Sequence, residues 1–325
     1  MLSIVLFLTC FTGCKRTNDD SDIAPDTEST LPEEETKLPA ENTEANESYF
    51  AIPDGTTAIA SEKYKNNTII EEVYIPDSVT TIGNNAFAGC SNLKTVRMSA
   101  SVETIGQNAF KDTALTDIVL PDSLKSIGQG ALFGTKLKSI TLPFVGGSRN
   151  SSHKFFGFIF GASGYAAQNM YIPTTLKSVT LTGGGYAPAD HSQCNLAYYH
   201  VACGNPEVAP FAFFGCSGLT SITLKSGITE IGNSAFQGCT SLSAIYIPKT
   251  VDTVAANAYD YNSPFYLCKA GFVICLEASS VSEYKLNGDN ADGKGFGKYW
   301  NYLDDGLAAT VKYSVTQENF NNNNY

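Results

Sequence analysis

Blocks of 22 or 23 residues recur along this chain, and that recurrence limits its fold more than any other feature. The segment from Leu93 to Phe110 returns from Leu115 to Leu132 and again from Leu219 to Phe236, each time with Ile-Gly-x-x-Ala followed by Phe or Leu near its end. Self-similarity at a fixed period of this length marks a solenoid, in which one small unit stacks on the next. A single unit cannot hide its apolar edge, so stability comes from each coil covering its neighbour. With 43% hydrophobic and 16% charged residues, the chain has the material for such a core.

Within one block, Val96 and Met98, Ile118 and Leu120, or Ile222 and Leu224 alternate with polar neighbours, which predicts a short strand with one face inward. Pro76, Pro121, Pro143 and Pro248 follow the strand and end its pairing. Val79/Ile82, Val102/Ile105, Leu124/Ile127 and Ile228/Ile231 then point inward. Gly83, Gly106, Gly128 and Gly232 come next, at a turn expected to need permissive backbone angles. The pairs Ala86-Phe87, Ala109-Phe110, Ala212-Phe213 and Ala235-Phe236 close the coil from the far side. Seven strands are expected, beginning near Ile70, Leu93, Leu115, Leu137, Leu176, Leu219 and Leu242.

The phrase Ala-Phe-x-Gly-Cys-x-x-Leu, at 86–93 and 235–242, resembles the BspA-type leucine-rich repeat. The stretch Leu142-Pro-Phe-Val-Gly-Gly147, with Phe160-Gly-Ala162 and Ile172-Pro-x-x-Leu-Lys-Ser-Val179, resembles an insertion seen in that family. The resemblance implies an α/β-type or mainly-β solenoid: a right-handed leucine-rich-repeat coil with a parallel sheet, short helical or turn segments opposite, and a C-terminal β cap. It also implies a surface protein that acts as an adhesin or antigen, with host extracellular matrix proteins such as fibronectin and fibrinogen among the partners of its relatives. No cofactor is implied.

The expected organisation is a signal peptide over 1–13, an acidic tether over 14–50, a solenoid over 51–262 and a capping region over 263–325. Insertions at 143–175 and 183–210 are expected to leave the coil as long loops. Long loops on a rigid scaffold often bind. Their aromatics (Phe155, Phe156, Phe158, Tyr165, Tyr171, Tyr186, Tyr198, Tyr199) either pack those loops down or offer a glycan platform. After 262 the repeat fails. Residues 271–277 and 308–315 read as two strands of the cap, and Asn321 to Asn324 as a frayed polar end.

Leu2 to Leu8 is apolar, and Phe11-Thr-Gly-Cys14 resembles a bacterial lipobox, which implies cleavage before Cys14 and lipid on its sulfur. An ordinary signal peptide with an incidental Cys is the alternative. Residues 15–50 hold eleven acids against three bases and so most of the chain's net charge of -11, which fits an extended, self-repelling tether. A chain this acidic offers no basic surface for nucleic acid. The expected location is therefore export, with a lipid anchor at the cell surface or outer membrane.

A solenoid's strand face is its usual extended binding surface. Tyr74, Arg97, Thr141, Thr180, Thr223 and Tyr246 are the outward candidates here, with the aromatics and Arg favoured because such side chains dominate interface energetics. A solvated face without a partner fits the same pattern. His191, Cys194, His200 and Cys203 form a nitrogen-sulfur set of the kind zinc takes, and a disulfide flanked by two histidines explains it equally. Cys90, Cys216 and Cys239 share one repeat position with Thr113 and Thr135 and read as packing residues. Cys268 and Cys275 could form a local disulfide in an exported chain. No nucleophile elbow or phosphate loop appears, so the expectation is recognition of a protein partner and not catalysis. Labelled lipid should enter the wild-type chain in a bacterial host and not Cys14→Ala; equal labelling of both would refute the lipobox.

Overall fold

The structure is a computed structural model of the 325-residue chain and describes residues 48–184, 207–254, 263–280, 295–296, 300–304 and 307–325. All of them lie in one unit, Glu44–Tyr325. Each coil lays one strand on a common side. Tyr49–Ala51, Glu72–Ile75 and Thr95–Met98 make a 3-stranded sheet. Asp117–Val119, Ser139–Leu142, Ser178–Leu181, Ser221–Leu224, Ala244–Ile247, Val273–Leu276 and Thr310–Lys312 make a 7-stranded sheet beside it. Every pairing within these two sheets is parallel. The register follows the repeat: Val73 lies opposite Val96, Ile118 opposite Ile140, and Val179 opposite both Ile140 and Ile222. A second row of two-residue parallel strands, such as Thr81–Ile82, Thr104–Ile105 and Glu230–Ile231, marks the next corner. The fold is a mainly-β parallel solenoid.

The third side is held by the Ala-Phe pairs. Phe87, Phe110, Phe213 and Phe236 are fully buried. Phe87 stacks on Phe110 at 5.4 Å with the rings 2° from parallel, and Phe213 on Phe236 at 5.6 Å and 7°. Beneath the rings runs a hydrogen-bond ladder: the Phe87 amide donates to the Ala109 carbonyl, Phe110 to Ala131, Leu132 to Ile159, Phe156 to Ala212 and Phe213 to Ala235, all at 2.7 to 2.9 Å. The cysteine position serves the same stack. Cys90 Sγ donates to the Tyr64 carbonyl at 3.0 Å and Cys239 Sγ to the Phe213 carbonyl at 3.3 Å, one coil back. Thr113 and Thr135 instead donate within their own coil, to Phe110 and Leu132.

The repeat glycines act differently from expectation. Gly83, Gly106, Gly128 and Gly232 do not lie among the positive-φ residues; that conformation falls elsewhere in the turn, at Asn85, Asn108 and Gly89 among others. A Cβ on Gly106 would instead sit 2.6 Å from the Asn84 amide nitrogen, and one on Gly128 2.3 Å from that of Gln107. These glycines are needed because backbones touch. Ala60 holds the same place in the coil that begins at Tyr49, below which no further coil is described.

Three further expectations change. First, the stack is longer than seven strands. Ile52-Pro-Asp repeats Ile75-Pro-Asp, and that earlier coil puts Tyr64 on Phe87 at 5.2 Å. At the other end Phe265 stacks on Phe236 at 5.5 Å and 3°, and Cys268 Sγ donates to the Phe236 carbonyl at 3.2 Å. Residues 263–276 are therefore another coil, and Val273–Leu276 and Thr310–Lys312 extend the same parallel sheet. Cys268 and Cys275 are both free and buried, one in the repeat position and one on a strand, so they form no disulfide.

Second, the 143–175 insertion does not leave the coil. Its 3-10 helix Phe156–Phe160 fills one level of the ladder, between Leu132 and Ala212. Buried Gln168 fastens it, accepting from the Gly157 amide at 2.7 Å and donating to the Phe214 carbonyl at 2.9 Å. Phe155 and Phe156 are buried and pack, while Tyr165 stacks on Phe211 at 4.5 Å and stays 42% exposed. Third, the polar end is ordered: Thr316 caps a helix, Gln317–Asn321, by accepting from the Asn319 amide at 3.1 Å.

Phe110→Ala should cost about 3–5 kcal/mol, as other buried Phe truncations do. Gly106→Ala, which adds only one methyl, should cost about 2 kcal/mol or more, because rigid backbone stands in its way. Both are measured by denaturant unfolding. A Gly106→Ala chain as stable as wild type would overturn the backbone-contact account.

Candidate binding face

Side chains alternate along each strand, so two of every four stand outward and the register lines them up from coil to coil. One row reads Tyr49, Glu72, Thr95, then Asp117, Ser139, Ser178 and Ser221. The other reads Ala51, Tyr74, Arg97, then Val119, Thr141, Thr180, Thr223, Tyr246, Cys275 and Lys312. All six strand residues picked from the sequence thus stand in one row, and the face they make has three zones.

At one end Tyr74 is 39% and Tyr49 40% exposed. Arg97 lies opposite Tyr74 and binds the Glu72 carboxylate through Nε. Its side chain remains 67% exposed, so the pair gains little from solvent-screened attraction and the guanidinium can be redirected. In the middle Thr141, Thr180 and Thr223 are half-buried, framed by Ser139, Ser178 and Ser221. Ser139 donates to the Asp117 carboxylate, and Val119 is 64% exposed. This zone is a hydroxyl-rich surface with one carboxylate and one exposed valine at its edge.

The third zone departs from expectation. Tyr246 is only 3% exposed and packs with Cys275 and Val315. The Phe320 ring lies 5.8 Å from it, tilted by 41°. Tyr246 is therefore not an open contact residue, because the chain's own last segment covers it. Burial pushes the Cys275 thiol up to about 11, with the Lys312 ammonium pulling the other way. Sequence reasoning missed Tyr49, although the repeated Ile-Pro-Asp signals its coil. It missed Phe320 altogether, because no local period encodes a long-range cover.

Cys14, His191, Cys194, His200 and Cys203 lie outside the described residues, as do Tyr186, Tyr198 and Tyr199. Among the described residues no helix is long and apolar enough to cross a membrane. Residues 42–152 and 190–269 match the BspA type leucine-rich repeat region in six copies. Among curated proteins nothing matches. Similar solved structures include three leucine-rich repeat proteins from bacteria. A leucine-rich repeat protein from T. pallidum is 24% identical, with 60% of this chain and 78% of that one covered and a TM-score of 0.38. One from Bacteroides ovatus is 21% identical, covering 77% and 83%, with a TM-score of 0.28. A leucine-rich cell surface protein from Faecalibacterium prausnitzii is 15% identical, covering 85% and 90%, with a TM-score of 0.21.

Proposed function

Because the chain belongs to the BspA-type leucine-rich repeat family, we propose that it is a cell-surface recognition protein that binds a protein partner through its strand face. The observation that carries this reading is the first zone of that face. There, Tyr74 and Arg97 stand opposite each other on adjacent strands of a rigid sheet, with Tyr49 in the neighbouring outward row, and all three are accessible. Tyr and Arg are the residue types that concentrate binding energy at interfaces. The Ser/Thr zone beyond them adds hydrogen-bonding hydroxyls, suited to a broad contact. Extracellular matrix proteins are the proposed partner class.

In this proposal, lipid on Cys14 holds the chain to the membrane and the acidic 15–50 segment sets its reach. More than one acyl chain is needed for a stable anchor. Many copies on one cell add avidity to weak single contacts. The role is recognition and not catalysis.

The test is biolayer interferometry of the full chain against immobilised fibronectin, fibrinogen and other matrix proteins. Saturable binding should weaken about tenfold or more in Tyr74→Ala and in Arg97→Glu, on the scale of interface hot spots. Binding untouched by both substitutions, or no saturable binding to any matrix protein, would overturn the reading.

A further inference from the structure

The in-out alternation of the strand face fails at two successive strands, Ala244–Ile247 and Val273–Leu276, the second because Cys275 is buried in an outward place. Ser139–Leu142, Ser178–Leu181 and Ser221–Leu224 each alternate half-buried with buried residues, whereas all four residues of Ala244–Ile247 are buried. Composition changes at the same place. The outward pairs are Ser139/Thr141, Ser178/Thr180 and Ser221/Thr223 on three successive strands, then Ala244/Tyr246 and Val273/Cys275 on the next two. The face turns apolar where it is covered.

The cover is the segment after the last strand. The chain leaves the sheet at Lys312 and turns at Ser314, whose φ is 56° and whose amide donates to the Ala278 carbonyl at 2.9 Å. The Val315 amide donates to the Leu276 carbonyl at 3.1 Å, and the helix Gln317–Asn321 follows. Val315 and Phe320 then pack on Tyr246, Cys275 and Val273, with Tyr325 stacked on Phe320 at 5.4 Å.

This hold is slight. The helix has 5 residues and buries none of them, far below the length at which a helix sustains itself in water. Two apolar side chains and the two backbone hydrogen bonds at Ser314 and Val315 make the docking contact, and the rest of 316–324 is polar. A segment with so few buried contacts opens locally while the core stays closed.

We infer that residues 313–325 are a releasable strap that masks the last zone of the strand face in cis, and that the partner segment which replaces it presents an aromatic side chain among polar residues, as Phe320 does. The inference rests on the proposed reading of this face as the recognition surface. Lifting the strap uncovers Tyr246, Val273 and Cys275, continuous with the open Ser/Thr zone. Partner and strap then compete for one seat, so the apparent affinity is reduced by the fraction of chains that stay strapped.

Cys275 is a built-in reporter, because its thiol lies beneath the strap. The full chain is treated with N-ethylmaleimide and alkylation is followed by peptide mapping. Cys275 should be protected in the wild type and react at least tenfold faster in Phe320→Ala, while Cys239 stays protected in both. A synthetic peptide of residues 313–325 added to the Phe320→Ala chain should slow Cys275 alkylation, and the same peptide with Ala at position 320 should not. An unchanged Cys275 rate in Phe320→Ala overturns the inference. So does a parallel rise at Cys239, which would make the segment part of the cooperative stack. The readout needs no partner. A Phe320→Ala chain with an open Cys275 that still binds no matrix protein would fault the recognition reading and leave the strap standing.

Discussion

Neighbouring coils approach so closely that a Cβ on Gly106 would meet the amide of Asn84 at 2.6 Å. That approach lets the Phe87, Phe110 and Phe213 amides reach carbonyls one coil onward, and it sets their rings into near-parallel stacks at 5.4 to 5.6 Å. Glycine, ladder and ring stack are one constraint seen from three sides. Remove the glycine, and the coil must lift away from its neighbour and loosen both the hydrogen bonds and the aromatic contacts. Stability in such a stack is the sum of interfaces between neighbours, so a fault at one level is felt first at that level.

The constraint is on backbone spacing, and it tolerates varied side chains. The ladder passes without a break through a level where the Phe position holds Leu132 and another where a 3-10 helix supplies Ile159 as acceptor and Phe156 as donor. At the last such level Pro264 stands for Ala. It still offers its carbonyl to the Phe236 amide at 2.8 Å. What proline gives up is the amide that in Ala86, Ala109 and Ala235 makes only a long turn bond, at 3.3 to 3.4 Å. The substitution therefore costs the stack little.

This tolerance explains what could be read from the sequence. Strand alternation, the prolines after the strands and the buried Ala-Phe pairs follow local periods and were all legible. The coils at the two ends were not. Asn66 and Leu267 take the positive φ that Gly89 and Gly238 take elsewhere, and Tyr64 replaces Phe. The interval from Phe236 to Phe265 is 29 residues, so a search at 23 passes over it. The glycines were recognised as necessary, but a period cannot say whether φ or close approach is the reason. Tyr74 and Tyr246 occupy equivalent outward places by the same alternation. Only the fold separates the 39% exposed residue from the 3% exposed one, because the cover over Tyr246 comes from some seventy residues further along the chain.

A solenoid face has no natural end: its outward rows run on as long as coils are added. In this chain the rows are divided by chemistry, with Tyr and Arg at one end, Ser and Thr in the middle, and Ala, Tyr, Val and Cys at the other. The first two zones tolerate water because their polar groups are solvated or paired, as Arg97 is with Glu72 and Ser139 with Asp117. The third would expose contiguous apolar surface, which in a soluble domain is covered or used. Here the strand Thr310–Lys312 carries the chain to the edge of that zone, and the turn at Ser314 sends it back over the surface. The apolar zone and its cover are thus a matched pair. A change from apolar to polar at Tyr246 or Val273 would remove the need for Phe320, and a change at Phe320 leaves those residues seeking another occupant.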